Sequence, residues 1–126
     1  MTAKVFIDGE VGTTGLQISQ RLSRRADVDL LRLADDRRKD AGARAEMLNA
    51  ADVAILCLPD AAAKESVALI ENNSTRVIDA STAHRTATGW TYGFPEYDKG
   101  HEATVAGGAR VANTGCYAVA SVSLLH

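Results

Sequence analysis

Apolar, β-rich segments recur along this chain, and the stretches between them are too long for hairpin turns. The segments are KVFI (4–7), VDLLRLA (28–34), DVAILCL (52–58), TRVIDA (75–80) and the weaker ARVAN (109–113). The stretches 14–25, 40–50 and 61–71 carry apolar residues near helical spacing. Strands separated by such helices pair in parallel through right-handed crossovers, and helices cover both faces of the sheet. The sequence therefore predicts an α/β fold with a doubly wound parallel sheet.

Residues 82–104 interrupt this alternation with several glycines, Pro95 and aromatic residues. A stretch of this composition is typical of a long loop. We expect it to lie over the carboxyl edge of the sheet, where open parallel sheets bind ligands.

A glycine-rich turn, DGEVGTTG, follows the first predicted strand and spaces Gly9, Gly12 and Gly15 three residues apart. Glycine permits a tight strand-to-helix turn, close approach of the backbone to a pyrophosphate, and close packing of the helix on the strand. The helix N-terminus adds free N–H groups and a positive potential. The spacing differs from the commoner GxGxxG, but its place in a βαβ unit predicts a Rossmann-type dinucleotide site.

The segment ADDRRKD after the second predicted strand bears on which dinucleotide is bound. Asp35 and Asp36 favour the free 2′-hydroxyl of NAD, whereas Arg37 and Arg38 favour the 2′-phosphate of NADP. The same charges also fit a solvated turn before the next helix, with Asp40 as its N-cap. The residues alone favour NADP only slightly.

The two cysteines of the chain occupy different settings. Cys57 lies within an apolar strand, which predicts a buried thiol that packs as a small hydrophobe. Cys116 follows Asn113-Thr114-Gly115 and begins an apolar segment that is typical of a buried helix. A thiol at a helix N-terminus has a lowered pKa and is a usable nucleophile. A half-buried structural thiol fits Cys116 equally well.

The three histidines, His84, His101 and His126, are scattered, and surface or loop positions are expected for each. No cluster of histidine, cysteine and carboxylate residues has metal-ligand spacing, so no metal site is predicted. Ser81 does not lie in a nucleophile elbow.

Composition and charge exclude several classes of protein. The formal net charge of −2 gives no basic field of the kind that nucleic-acid binding requires. The first residues lack the features of a secretion signal, and no apolar run is long enough to span a membrane. We expect a cytoplasmic protein with two separate thiols and no nucleic-acid or membrane partner.

Five motifs together resemble those of the N-acetyl-γ-glutamyl-phosphate reductase family, in its shorter form. They are GEVGTTG, LCLPD, VIDASTAHR, YGFPEY and NTGCYA, and their order and spacing agree over essentially the whole chain. The resemblance implies NADPH as reductant and an enzyme of arginine biosynthesis that reduces an acyl phosphate to a semialdehyde. It implies that Cys116 attacks the γ-acyl phosphate, that phosphate leaves, and that the resulting thioester is reduced.

The resemblance also assigns roles to residues of this chain. Besides Arg37 and Arg38, the resemblance implies further cofactor-binding positions, which are Gly9, Gly12, Thr13, Thr14, Gly15, Leu58, Pro59 and Ser81. Arg85 matches an arginine that holds a carboxylate or phosphate of the substrate, although a surface ion pair would also explain it. Thr114 and Val119 depart from the usual proline and threonine around the cysteine.

Family members continue well beyond the length of this chain, and their catalytic acid/base lies in the part beyond residue 126. We therefore expect an NADP-binding domain at 1–113 and the start of a catalytic domain at 114–126. The full-length enzyme is expected to be a homo-oligomer by resemblance alone. An aspartate-semialdehyde-type dehydrogenase and a dinucleotide-binding module without catalysis remain alternatives.

Overall fold

A parallel sheet of six strands organises the chain in a computed structural model that describes residues 2–9, 13–72, 74–81, 83–84, 87, 89–93, 104 and 108–112. The strands are β1 (Ala3–Asp8), β2 (Val28–Leu31), β3 (Val53–Leu56), β4 (Arg76–Asp79), β5 (Thr91–Tyr92) and β6 (Arg110–Ala112). The helices are α1 (Thr13–Leu22), α2 (Ala41–Ala50) and α3 (Asp60–Leu69), with a 3₁₀ turn at Asp35–Arg37.

The strand order is β2-β1-β3-β4-β6-β5, and every pairing is parallel. The chain runs from β1 outward to β2 and then crosses back to β3 on the other side of β1. This reversal creates a topological switch point between β1 and β3, where open α/β sheets leave a crevice at the carboxyl ends of their strands. The predicted Rossmann-type doubly wound sheet is confirmed.

The hydrophobic core lies between the sheet and helices α2 and α3. Its buried members are Phe6, Leu48, Ala51, Ala54, Leu56, Ala63 and Val77. Register explains the contribution of the strands, because Phe6 pairs with Ala54 and Ala54 pairs with Val77, which places the three side chains on one face. Helix α1 contacts β1 and β2, and the right-handed crossovers place it on the opposite face.

Helix α2 begins at the predicted cap. The Asp40 side chain accepts a hydrogen bond from the Gly42 backbone N–H at 3.1 Å, which satisfies one of the free donors of the first turn. The Asp40 cap predicted from the sequence is therefore confirmed.

The prediction of a continuous loop over residues 82–104 is wrong at Thr91–Tyr92, which form the edge strand β5. The edge of β6 offers unpaired backbone groups, and two residues of good β propensity pair with it. Gly93 extends this pairing through a 2.8 Å hydrogen bond from its N–H to the Ala112 carbonyl. Residues 94–103 lie outside the described part. Within the described ranges, no helix has the length and hydropathy needed to cross a membrane.

Candidate cofactor site

The turn after β1 brings its backbone against the end of β3. Gly9 has a φ of 91°, in the left-handed region that favours glycine. A β-carbon at this position would lie 2.3 Å from the Cys57 carbonyl oxygen and 3.1 Å from Leu58 Cδ2. Glycine is thus required here for the close approach of β1 to the segment that follows β3 at the switch point.

A cavity of about 400 Å³ opens at this crevice. It is lined by Phe6, Ile7, Asp8, Gly9, Leu33, Arg38, Lys39, Arg44, Leu58, Ala62 and Glu65. Its size falls within the range of small-molecule and cofactor sites, and apolar walls with a few charged groups are typical of them. The cavity extends from the end of β1 toward the segment that enters α2, which is where a Rossmann fold holds the adenosine half of a dinucleotide.

A buried ion pair forms one side of the cavity. Arg44 on α2 donates to Asp8 Oδ2 through Nε at 3.1 Å and Nη2 at 2.9 Å, and the Asp8 and Arg44 side chains are 6% and 9% exposed. Ser66 on α3 also donates to Asp8 Oδ2, at 2.6 Å, and accepts a short hydrogen bond from Arg44 Nη2. The network ties the end of β1 to both helices of one face, so it holds the glycine turn in place.

The two arginines predicted to bind the cofactor differ in position. Arg38 lines the cavity together with Lys39, whereas Arg37 is not among the lining residues. Arg37 instead lies 3.9 Å from Asp40 in an ion pair in which both side chains are more than half exposed. Outside the ion pair of Arg44 with Asp8, the cationic lining residues of the cavity are Arg38 and Lys39, and sequence reasoning did not single out Lys39.

The remaining predicted cofactor residues are spread along the carboxyl edge of the sheet. Leu58 lines the cavity and Pro59 is exposed directly before α3. Thr14 is exposed and Gly15 is buried, both in the first turn of α1, which Thr13 begins. Ser81 is buried beyond β4. Gly12, Arg85 and Cys116 lie outside the described residues, as do the proposed domain segment 114–126 and the histidines at 101 and 126.

Cys57 was predicted to be a buried thiol within a strand, but it lies one residue beyond the end of β3 and is only partly buried. Burial raises the pKa of the Cys57 thiol, and the nearby Asp79 and Asp8 carboxylates raise it further. A raised pKa keeps the thiol protonated near neutral pH, so Cys57 is a poor nucleophile.

His84 lies in the turn after β4, in agreement with the expected loop position, but it is not a surface residue, because it is only 8% exposed. Its Nδ1 lies 2.5 Å from Oδ2 of the fully buried Asp79, and its ring stacks on Trp90 with a centroid distance of 4.1 Å. The buried carboxylate at the end of β4 requires donors, and His84 is within reach in the turn that follows. The sequence signal was the carboxylate that precedes this histidine by five residues.

A metal site finds no support in the part of the chain that the structure describes, where no three histidine, cysteine or carboxylate residues are grouped to hold an ion.

A known protein family matches more than half of this chain. The model of the family described as "Semialdehyde dehydrogenase, NAD binding domain" matches residues 39–105, which is more than half of the chain. The chain belongs to this semialdehyde dehydrogenase family. Membership supports a nicotinamide dinucleotide as cofactor, in agreement with the crevice at the switch point.

Curated relatives of this semialdehyde dehydrogenase domain carry a more specific name. The N-acetyl-γ-glutamyl-phosphate reductase of Chelativorans sp. is 62% identical over the whole chain, and that of Mesorhizobium japonicum is 58% identical over the same span. In each case the chain spans 41% of the length of the relative.

Solved structures show the same fold. An aspartate semialdehyde dehydrogenase II from Vibrio cholerae, in complex with ASA, superposes with a TM-score of 0.66 at 17% identity, covering 99% of this chain and 44% of the other. At that identity the likeness concerns the fold alone.

Proposed function

We propose that this chain is the cofactor-binding part of an NADPH-dependent reductase that converts N-acetyl-γ-glutamyl phosphate to N-acetylglutamate semialdehyde, with release of phosphate, in arginine biosynthesis. The observation that carries this proposal is the 62% identity to a reductase of that name over the whole chain. Residues 1–113 form the dinucleotide-binding domain in this proposal, and 114–126 begin the catalytic domain.

The described residues fit a nicotinamide dinucleotide. Gly9 lines a cavity that combines apolar walls with cationic groups, and its lack of a β-carbon lets β1 approach the end of β3 at the switch point. When bound, the reduced cofactor supplies a hydride. We assign the 2′-phosphate to Arg38 and Lys39, the two cations that line the cavity outside the buried network. Glu65, which also lines the cavity, lies 3.3 Å from Arg44 in an ion pair, so its charge is partly balanced.

The other cofactor positions keep the roles that the resemblance implies. Thr13, Thr14 and Gly15 offer backbone N–H groups in the first turn of α1, where a pyrophosphate is favoured. Gly12, outside the described residues, keeps the role that the resemblance implies. Leu58 and Pro59 lie between β3 and α3, and Leu58 lines the cavity. Ser81 shapes the neighbouring turn, since its hydroxyl donates to Asp79 at 2.9 Å and accepts from the Ala83 N–H at 3.1 Å.

Cys116 is the proposed nucleophile and Arg85 the proposed substrate-binding residue. The thiolate of Cys116 attacks the activated acyl carbon, and phosphate leaves with the electron pair of the broken C–O bond. Cys57 does not compete for this role, because burial raises the pKa of its thiol. Cys116→Ser should abolish acylation while cofactor affinity stays within about a few-fold of that of the unsubstituted chain.

Calorimetric titration with NADPH and NADH tests the cofactor assignment. We expect the chain to prefer NADPH, and Arg38→Ala or Lys39→Ala to weaken NADPH binding about tenfold while NADH binding changes little, because each loses a charge-assisted contact to phosphate. Arg37→Ala is the matched control, since Arg37 is exposed and pairs with Asp40. Equal affinity for the two cofactors, or an Arg37→Ala effect as large as that of Arg38→Ala, would contradict the assignment.

A dinucleotide-binding module without turnover is the second candidate, favoured because the described residues form a cavity at the switch point of the sheet, where such a fold binds a dinucleotide. An assay of NADPH oxidation with N-acetyl-γ-glutamyl phosphate distinguishes the two. We expect the 126-residue chain to bind NADPH and to catalyse no turnover. Full activity of this chain would exclude the module.

A further inference from the structure

The turn after β4 carries a buried histidine that the proposed reaction does not use. The Asp79 carboxylate, at the end of β4, is 0% exposed. A carboxylate so placed requires hydrogen-bond donors to offset its lost hydration. Three donors converge on it from the following turn: the Ser81 N–H at 2.9 Å, the Ser81 hydroxyl at 2.9 Å, and His84 Nδ1 at 2.5 Å.

His84 is held from two directions. Nδ1 faces the Asp79 carboxylate, whose oxygens accept hydrogen bonds, so we assign the Nδ1 hydrogen to this contact. The face of the imidazole stacks on Trp90 with an interplanar angle of 15°, and Trp90 packs against the core. The backbone closes the same unit, because the Ala87 N–H donates to the His84 carbonyl at 3.2 Å and the Trp90 N–H donates to the Ala87 carbonyl at 3.3 Å.

The position of this turn matters for the cofactor crevice. Strands β3 and β4 are neighbours, and Leu56 pairs with Asp79. The turn after β4 therefore lies beside the segment after β3, where Leu58 forms a wall of the cavity. The Ala80 N–H donates to the Leu56 carbonyl at 2.9 Å, which joins the two segments directly.

We propose that His84 is a positioning residue: its Nδ1 contact with Asp79, more than its stack on Trp90, holds the turn that carries Ser81 against the cofactor end of the sheet. This role rests on the proposed dinucleotide site for its effect on binding. Its effect on the turn itself is independent of any ligand.

Two variants separate the hydrogen bond from the stack. His84→Phe keeps an aromatic ring beside Trp90 but removes the donor to Asp79, whereas His84→Asn loses the ring but retains a donor near the place of Nδ1. Trp90 is the single tryptophan of the chain, so its fluorescence reports directly on the stack. Amide hydrogen exchange at Ser81 and Ala83 reports on the turn, and urea unfolding reports on global stability.

We expect His84→Phe to accelerate exchange at the Ser81 amide about tenfold or more, and to weaken NADPH binding by a similar factor, while the amides of β1 and β3 stay protected. His84→Asn should return exchange and affinity to within about threefold of the unsubstituted chain, although the Trp90 emission changes. A residue with only a stabilising role would lower unfolding stability in both variants and leave NADPH affinity unchanged.

Several outcomes would overturn the positioning role. These are unchanged exchange at Ser81 and Ala83 in His84→Phe, equal effects of both variants, or unchanged NADPH affinity in a folded His84→Phe. If His84→Phe does not fold, amide exchange in the unsubstituted chain is the test. A Ser81 amide that exchanges there as fast as in an unstructured peptide would refute the claim that the turn is held in place. If the unsubstituted chain binds no NADPH, the proposed function fails. The comparison of Ser81 amide exchange between His84→Phe and the unsubstituted chain still tests the role of His84 in holding the turn.

Discussion

Gly9→Ala should destabilise the chain strongly, because the new β-carbon meets two obstacles. Gly9 has a φ of 91°, a conformation that residues with a β-carbon rarely adopt. The same β-carbon would lie 2.3 Å from the Cys57 carbonyl oxygen, whereas real β-carbons essentially never approach a heavy atom within 3.0 Å. The obstacle is backbone rather than a flexible side chain, so β1 and β3 must separate at the switch point.

The expected loss follows from these two contributions. A left-handed backbone costs a residue with a β-carbon about 1–2 kcal/mol. Forcing packed groups apart costs about 1–3 kcal/mol more. We therefore expect the free energy of unfolding to fall by about 2–5 kcal/mol, which is a large part of the 5–15 kcal/mol typical of a domain.

Gly89→Ala is the matched control. Gly89 also has a positive φ, 86°, but a β-carbon there meets nothing within 4 Å. The free energy of unfolding of Gly89→Ala should fall only by the conformational cost of the left-handed backbone, about 1–2 kcal/mol. Urea unfolding followed by far-ultraviolet circular dichroism measures both variants. Equal losses at the two positions would refute the steric role of the Cys57 carbonyl.

Two further predictions concern the groups around the crevice. Arg44→Leu should lower the free energy of unfolding in urea by about 3–5 kcal/mol, because it leaves the buried Asp8 carboxylate without its cation. Adding Asp8→Asn to this variant should recover part of the loss. If the double variant loses as much stability as the two single variants together, the pairing is contradicted. Near neutral pH, iodoacetamide should modify Cys57 more slowly in the folded chain than in the urea-unfolded chain. Burial and the Asp79 and Asp8 carboxylates raise the pKa of this thiol in the folded chain, so less thiolate is present. Equal rates at Cys57, measured by peptide mapping, would count against this prediction.

The sequence by itself determined the order of strands and helices and the class of fold. Apolar β-rich segments alternate with helical ones, and this local pattern admits a parallel sheet with right-handed crossovers. It also located the glycine turn at Gly9 and the cap at Asp40, since both follow from conformational preferences of single residues and their immediate neighbours. The edge strand at Thr91–Tyr92 was missed because two residues carry too little periodicity to be recognised.

Only the tertiary structure decided which side chains meet. Asp8 contacts Arg44 and Ser66, which are 36 and 58 residues away along the chain, so no local pattern marks the network. The choice of Arg38 over Arg37 as a lining residue depends on how the turn before α2 faces the cavity. His84 is buried because the carboxylate at the end of β4 lies inside the fold and requires donors, a condition that exists only once the sheet and its helices have assembled.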